Sequence, residues 1–307
     1  MEAKQAPILV TGATRSGSTW VGKMLAASGQ VTYIHEPLNV ERPSGLLPCE
    51  TPHRLTYIGE HNADVFEPAF RHLLQLKYRF PFDSAALGSP REVARIARYW
   101  ARLAVGSVTR RRPLIKDPFA LFSAPWLAET FGCAVVVTVR HPAAVVSSRL
   151  RMGWRFPFDA FLQQPELMAD WLHPVRDTID RAVSSDDPVL NAAALWRVVY
   201  HVVDVYSARY PHFIIIRHED LSAAPEQGYA GLYRALELDL TPRARARIER
   251  SAKGPRTGIR RSPYSVELDS RRNIRRWKQE LTSRDVDRIR SITEDVAGRW
   301  YDDQAWE

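Results

Sequence analysis

The stretch TGATRSGSTW (Thr11–Trp20) has the glycine spacing of a phosphate cradle but lacks the lysine that normally completes one. Gly12 and Gly17 occupy the two glycine places of G-x-x-x-x-G-K-[ST], Thr19 takes the hydroxyl place, and Ser18 stands where the lysine belongs. The preceding APILVTG is a short apolar run closed by glycine, which predicts a buried strand. The following STWVGKMLAASG places Trp20, Met24 and Leu25 on one helical face and stops at Gly29. Strand, glycine loop and helix together aim the amides of Ser16 to Thr19 at an anion, because a helix N-terminus carries unpaired N–H groups and a positive dipole end. Hydroxyls of Ser16, Ser18 and Thr19 add donors. Arg15 supplies the charge that the missing lysine would have given.

Working outward, strands alternate with helices. VTYIHEP (31–37) is a second strand stopped by Pro37, and PLIKDP a third, ending at Lys116–Asp117. CAVVVTVRHP is apolar on both faces, as a central parallel strand should be, and Pro142 opens a helix after it. HFIIIRHEDL reads as a further buried strand. SAPWLAETFG reads as a capped helix ending at Gly132, PVLNAAALWRVVYHVVDVYSARY as a long amphipathic helix, and LTSRDVDRIRSITEDVAGRWY as a final helix with Thr282 at its N-cap. Two more helices are predicted around 225–237 and 242–251, and another after Ser89–Pro90. The alternation predicts an α/β fold, a parallel sheet with helices on both faces. Ligands of such sheets bind at the C-terminal strand ends. The distinctive segments TGATRSGSTW, HEP, KDP and RHP all fall there.

Bulk properties narrow the setting. The 307 residues suit a single domain, 1–307, with insertions on the acceptor side around 38–112 and 153–187. No apolar run approaches the ~20 residues of a membrane helix. Met1–Pro7 has no signal-peptide pattern, and Cys49 and Cys133 suit a reducing compartment, so a cytoplasmic protein is expected. No Cys/His cluster has metal-ligand spacing, and no metal is expected. The formal net charge of +8 favours an anionic partner. A phosphate-splitting cradle needs its lysine and a magnesium-binding aspartate at a strand end. The strongest strand ends instead in Arg140–His141–Pro142, so this cradle is expected to bind a nucleotide without splitting its phosphates. A small-molecule kinase is the first alternative, and a non-enzymatic basic protein binding nucleic acid or glycan the second.

Four segments carry a resemblance to the PAPS-dependent sulfotransferases, of the carbohydrate-type and bacterial kind. TRSGSTW resembles that family's 5′-phosphosulfate loop, [KR]-S-G-[ST]-[ST]-[WFL]. VTVRHPAAVVSSR is similar to its 3′-phosphate segment, with an arginine ending a strand and a serine eight positions on. IIRHEDL resembles its later YEDL strand end, with His218 in place of tyrosine. SRRNIRRWKQELT resembles the segment that folds over the nucleotide, although Arg272 falls at a common glycine. The four occur in family order over residues 8 to about 282. The resemblance implies a fold, a P-loop-like three-layer sandwich whose central parallel sheet has about five strands. It also implies a donor, 3′-phosphoadenosine 5′-phosphosulfate (PAPS), with PAP as product, a hydroxyl-bearing acceptor (carbohydrate, glycolipid or other small molecule), and metal-independent transfer. Arg15, Ser16, Gly17, Ser18 and Thr19 would then hold the 5′-phosphosulfate, Trp20 would pack against adenine, Arg140 and Ser148 would hold the 3′-phosphate, and Arg271 and Arg272 would form the clamp.

Transfer also needs a group that takes the acceptor proton, and a carboxylate or histidine within hydrogen-bond reach can do so. Glu36 in HEP leads, since relatives of the carbohydrate type often carry a glutamate there. His35 and Asp117 remain open alternatives. Lys116 and Arg15 are the candidate cations for the leaving oxygen. The aromatic residues Tyr57, Phe66, Tyr78, Phe80, Trp154, Phe156 and Trp171 suit either an acceptor surface or core.

Overall fold

A computed structural model describes residues 6–40, 46–78, 90–252 and 274–307. Five parallel strands form one sheet in the order β2-β3-β1-β4-β5. They are β1 (Ile8–Gly12), β2 (Val31–His35), β3 (Arg112–Lys116), β4 (Ala134–Val139) and β5 (Ile214–Arg217). Parallel pairing puts every C-terminal strand end on one edge. The register sets Gly12 opposite Thr138 and His35 opposite Lys116.

Alternation along β1 explains the layers. Leu9 enters a large core containing Val135, Val137, Trp196 and Tyr200, while Ile8 and Val10 face Trp20, Met24, Tyr229 and Tyr233 on the other side. The helices in chain order are α1 (Ser18–Ala26), α2 (Ala63–Leu74), α3 (Pro90–Val108), α4 (Ala124–Phe131), α5 (Pro142–Arg151), α6 (Asp159–Leu162), α7 (Pro165–Leu167), α8 (Arg176–Val183), α9 (Pro188–Arg209), α10 (His218–Ala223), α11 (Pro225–Ala235), α12 (Pro242–Ala252), α13 (Trp277–Glu280) and α14 (Ser283–Ala297). α9 starts where sequence chemistry dictates: Asp187 accepts from the amides of Val189 and Leu190, and Pro188 opens the first turn. Small residues of α5 (Ala143, Ala144) and α9 (Ala192, Ala193) let these helices approach closely, with Trp277 and Ile289 in the same cluster.

Three expectations change on contact with the fold. β5 is half-buried rather than buried, because it is the sheet's last strand; from His218 onward its segment is helix. Ser123 precedes α4 but does not cap it. Its hydroxyl donates to Thr56 O (2.8 Å) and accepts from the Ile58 amide (3.0 Å), tying a loop to the helix start. β2 ends at His35, so Glu36 belongs to the turn and has a left-handed φ of 49°. Thr282 does cap α14, accepting from the Asp285 amide at 3.1 Å. Phe66, Phe156 and Trp171 are buried in the core, and Phe80 lies outside the described residues.

Candidate active site

The loop after β1 is held against β4 at closest approach. Gly12 has φ +133°, and a Cβ there would lie 2.4 Å from the Thr138 carbonyl oxygen. Gly17 has φ +101°, and its Cβ would meet His218 Nδ1 at 2.5 Å. Only glycine satisfies both the conformation and the space. Arg15 is left-handed too, at φ 74°, which costs a non-glycine residue about 1–2 kcal/mol. The Thr138 hydroxyl donates to Thr11 O (3.0 Å), so the Ser16 hydroxyl, 2.5 Å away, must be the donor to Thr138. Ser16 therefore anchors the loop through its buried side chain. The Gly17 carbonyl accepts from the amides of Trp20 and Val21, starting α1 and leaving the amides before them at its N-terminus.

Two segments more than 120 residues apart in sequence meet over this loop. Arg15 Nε donates to Ser148 Oγ at 2.8 Å, and Arg140 Nη1 donates to the Arg15 carbonyl at 3.0 Å. Arg151 adds a 3.4 Å contact to Ser148. Arg149, which the sequence reading passed over, is buried and donates to Thr14 Oγ1 at 2.7 Å. No described carboxylate pairs with it, and its Nε finds no hydrogen-bond partner among the described residues. Burial, then the charges of Arg54 and Arg15, lower its pKa to about 10. A buried guanidinium in a positive field is costly unless an anion arrives. Its signal in the sequence is an arginine four residues after Val145, inside the apolar stripe of α5. The Arg15 guanidinium also lies 5.8 Å from the Trp154 ring centroid, a cation–π contact.

The other half of the edge is acidic and basic at once. Lys116 Nζ donates to Glu36 Oε1, and Asn39 Nδ2 donates to Oε2 at 2.9 Å. His35 Nε2 is 3.9 Å from Oε2, and its Nδ1 lies 3.2 Å from the Tyr33 hydroxyl. Burial alone would raise the Glu36 carboxyl; the Lys116 and His35 charges and the Lys116 and Asn39 hydrogen bonds outweigh it and hold it below its ordinary value. Burial lowers the Lys116 ammonium, with Glu36 opposing. Arg15 is close enough to push it the same way as burial, which places the loop and the pair in one electrostatic neighbourhood. Asp117 is wholly buried, and both its oxygens are committed, Oδ2 to the Leu38 amide (2.7 Å) and Oδ1 to the Phe119 amide (2.8 Å). Burial raises it to about 7.

Trp20 is packed inside, edge-on to His218 (5.6 Å) and Tyr229 (5.3 Å), with Nε1 donating to Ser251 Oγ at 2.9 Å. Arg271 and Arg272 lie outside the described residues. The W-K pair that follows them docks on the Arg140 corner: Trp277 stacks on His141 at 5.0 Å and 6°, and Glu280 binds Ser147 and Arg151. Among the described residues there is no His/Cys/Asp/Glu group suited to a metal ion, and no helix is long and apolar enough to cross a membrane.

Comparison with known proteins agrees with this fold. A search of curated protein sequences found no significant match. Among solved structures, the chain is similar to the sulfotransferase domain from the curacin biosynthetic pathway, at 17% identity and TM-score 0.52, over 96% of this chain and 97% of that one. Also matched are the sulfotransferase domain from the Synechococcus PCC 7002 olefin synthase (18% identity, TM-score 0.45, 98% of each chain) and the sulfotransferase STF9 from Mycobacterium avium (14%, 0.46, 97% of this chain and 77% of that one). The sequence pattern described as "Sulfotransferase family" matches residues 7–242, most of the chain and all five strands. The chain belongs to the sulfotransferase family.

Proposed function

We propose that this sulfotransferase takes its sulfonate from PAPS and passes it to an acceptor hydroxyl, with Glu36 as the general base. The observation that carries the donor assignment is the meeting of Arg15, Arg140, Ser148 and buried Arg149 around the α1 N-terminus. Cations at both the loop and the α5 side suit a nucleotide with anionic groups at its 5′ and 3′ ends. When bound, the donor supplies an activated sulfonate whose S–O bond to the phosphate breaks as the acceptor oxygen bonds to sulfur. The chain's own work is to orient and to manage charge. The α1 amides with Ser18 and Thr19 fix the 5′ end, while Arg140, Ser148 and Arg149 fix the 3′ end. Lys116 and Arg15 offset charge that gathers on the leaving oxygen. Glu36, held ionised, receives the acceptor proton. The same edge offers sugars, phenols and hydroxylated lipids equal chemistry, so the acceptor class is found by screening.

Titration calorimetry with PAP and with adenosine 5′-monophosphate tests the donor. A charge-assisted hydrogen bond contributes roughly 1.5–3 kcal/mol, so PAP should bind about 10- to 150-fold more tightly. Arg140→Ala should remove most of that preference. Equal affinity of the unmutated protein for the two nucleotides would overturn the donor assignment.

A further inference from the structure

A second strongly basic feature lies away from the loop. A cavity of about 510 Å³ opens between α1, α12, the sheet's edge strand β2 and α3. Its walls carry six cations: Lys23 from α1, Arg102 from α3, Arg111 just before β3, and Arg243, Arg247 and Arg250 from α12. None of its described lining residues is a carboxylate.

Each wall shows that the charge is concentrated there. Arg243, Arg247 and Arg250 follow the i, i+4, i+7 spacing, so they share one helix face, where like charges lower helix stability. Arg245, on another face of the same helix, pairs with Glu226 at 3.0 Å. Lys23 is half-buried, and burial followed by Lys116, Arg247 and Arg102 holds its ammonium below the ordinary value. A bound anion would reverse those repulsions. The volume falls in the range of small-molecule sites and is larger than a lone phosphate needs. Tyr33 forms part of the wall, and its hydroxyl contacts His35, the neighbour of Glu36. Three strand-like steps at about 3.3 Å each set the cavity on the order of 10 Å from that carboxylate.

We propose that this cavity binds a small molecule, or part of one, carrying two or more phosphate or sulfate groups, at the same time as the donor nucleotide. Six converging cations and a volume of this size select clustered anions over a single one, and the walls of α1 and α12 admit a compact ligand better than a nucleic-acid duplex.

The test uses the full-length protein with the donor site saturated by PAP, titrated with tripolyphosphate by calorimetry. One further equivalent should bind, weakening as salt is raised. Arg243→Glu/Arg250→Glu changes two exposed side chains and should weaken that equivalent at least tenfold while PAP affinity stays within twofold. Lys23→Met, which keeps the side chain's length, should weaken it as well. Arg284→Glu, on exposed α14, should do neither. The proposal is overturned if no equivalent binds beyond PAP, if the double variant binds as the wild type does, or if Arg284→Glu causes an equal loss. It is also overturned if a short DNA duplex displaces tripolyphosphate at matching affinity. Because PAP and tripolyphosphate are titrated separately, a failure of PAP to bind bears on the donor assignment and leaves the variant-sensitive equivalent countable.

Discussion

Glu36 and Asp117 are two carboxylates a few residues from the same strand ends, and their surroundings divide their work. Glu36 faces a lysine, an asparagine and a histidine, and it is held ionised. Asp117 has both oxygens spent on backbone amides and is pushed up to about 7 by burial. Both carboxylates have each oxygen hydrogen-bonded, but the partners of Glu36 are side chains that can shift as an acceptor binds, whereas those of Asp117 are backbone amides that hold its turn. Glu36→Gln keeps the size and the Asn39 contact while removing proton affinity. Single-turnover transfer with saturating PAPS should therefore fall by about 10²–10⁴-fold, with PAP affinity held. If His35 were the base, His35→Asn would be the dead variant and Glu36→Gln only impaired; if Asp117 were, Asp117→Asn would be. Near-normal transfer by Glu36→Gln removes it from the role.

At the scale of elements, the β1–loop–α1 unit carries the site, and its geometry hangs on Gly12. A methyl group there meets the β4 backbone at 2.4 Å with φ +133°, so neither strand can yield cheaply. Overpacking of this kind costs about 1–3 kcal/mol before the backbone strain is added. Gly12→Ala should lower the urea midpoint accordingly with an unchanged m-value, and weaken PAP through the displaced loop. An unchanged midpoint would mean that the loop is not held as tightly as its contacts indicate. The strands were legible because buried parallel strands are continuous apolar runs, and the candidate segments stood out because they sit where such strands end. Arg15 and Arg140 stand at such ends and Ser148 came from the family resemblance; the structure brings the three side chains together. Other features depend on what packs against what, which local patterns do not encode. The exposure of β5 follows from strand order. The inward turn of Ser16 follows from Thr138 on a distant strand. Arg149 is buried because α5 turns that side towards Thr14, which no local pattern around it encodes. That two backbone amides already claim the oxygens of Asp117, an open alternative for the base, is likewise invisible in the sequence.

Over the whole molecule, the last thirty or so residues close on the strand ends they are remote from in sequence. The Arg217 guanidinium donates to Trp300 O at 2.5 Å, Tyr301 donates to Glu219 Oε2 at 2.9 Å, and Glu219 Oε1 accepts from the His141 amide at 3.0 Å. The His141 ring is boxed by Trp277, Tyr301 and Trp306, and neither ring nitrogen has a hydrogen-bond partner among the described residues. Burial, then Lys278, Arg140 and Arg217, lower it to about 3. Global stability should therefore carry two opposed pH dependences. Below its ordinary value near 6.5, the unfolded chain protonates His141 and the folded chain does not, so this group's contribution is lost as pH falls from about 6.5 towards 3. Asp117 acts in reverse: between about 4 and 7 the folded chain holds a proton that the unfolded chain has released, so its contribution is lost as pH rises through that window. Each group, where fully differential, gives a slope of about 1.4 kcal/mol per pH unit. His218, buried and held well below 6.5 by burial and then Arg140, adds to the histidine side, so the wild type should gain stability from pH 4 to 6. Urea unfolding of wild type, His141→Phe and Asp117→Asn across pH 4–7 separates the terms. The wild-type advantage over His141→Phe should grow with pH, since phenylalanine keeps the stack on Trp277 but cannot titrate. The difference between wild type and Asp117→Asn should shrink with pH over the same range. The slopes carry the assignment, since each substitution also shifts stability by a constant amount through lost contacts. Curves that run parallel for all three proteins would show that neither group changes its proton affinity on folding.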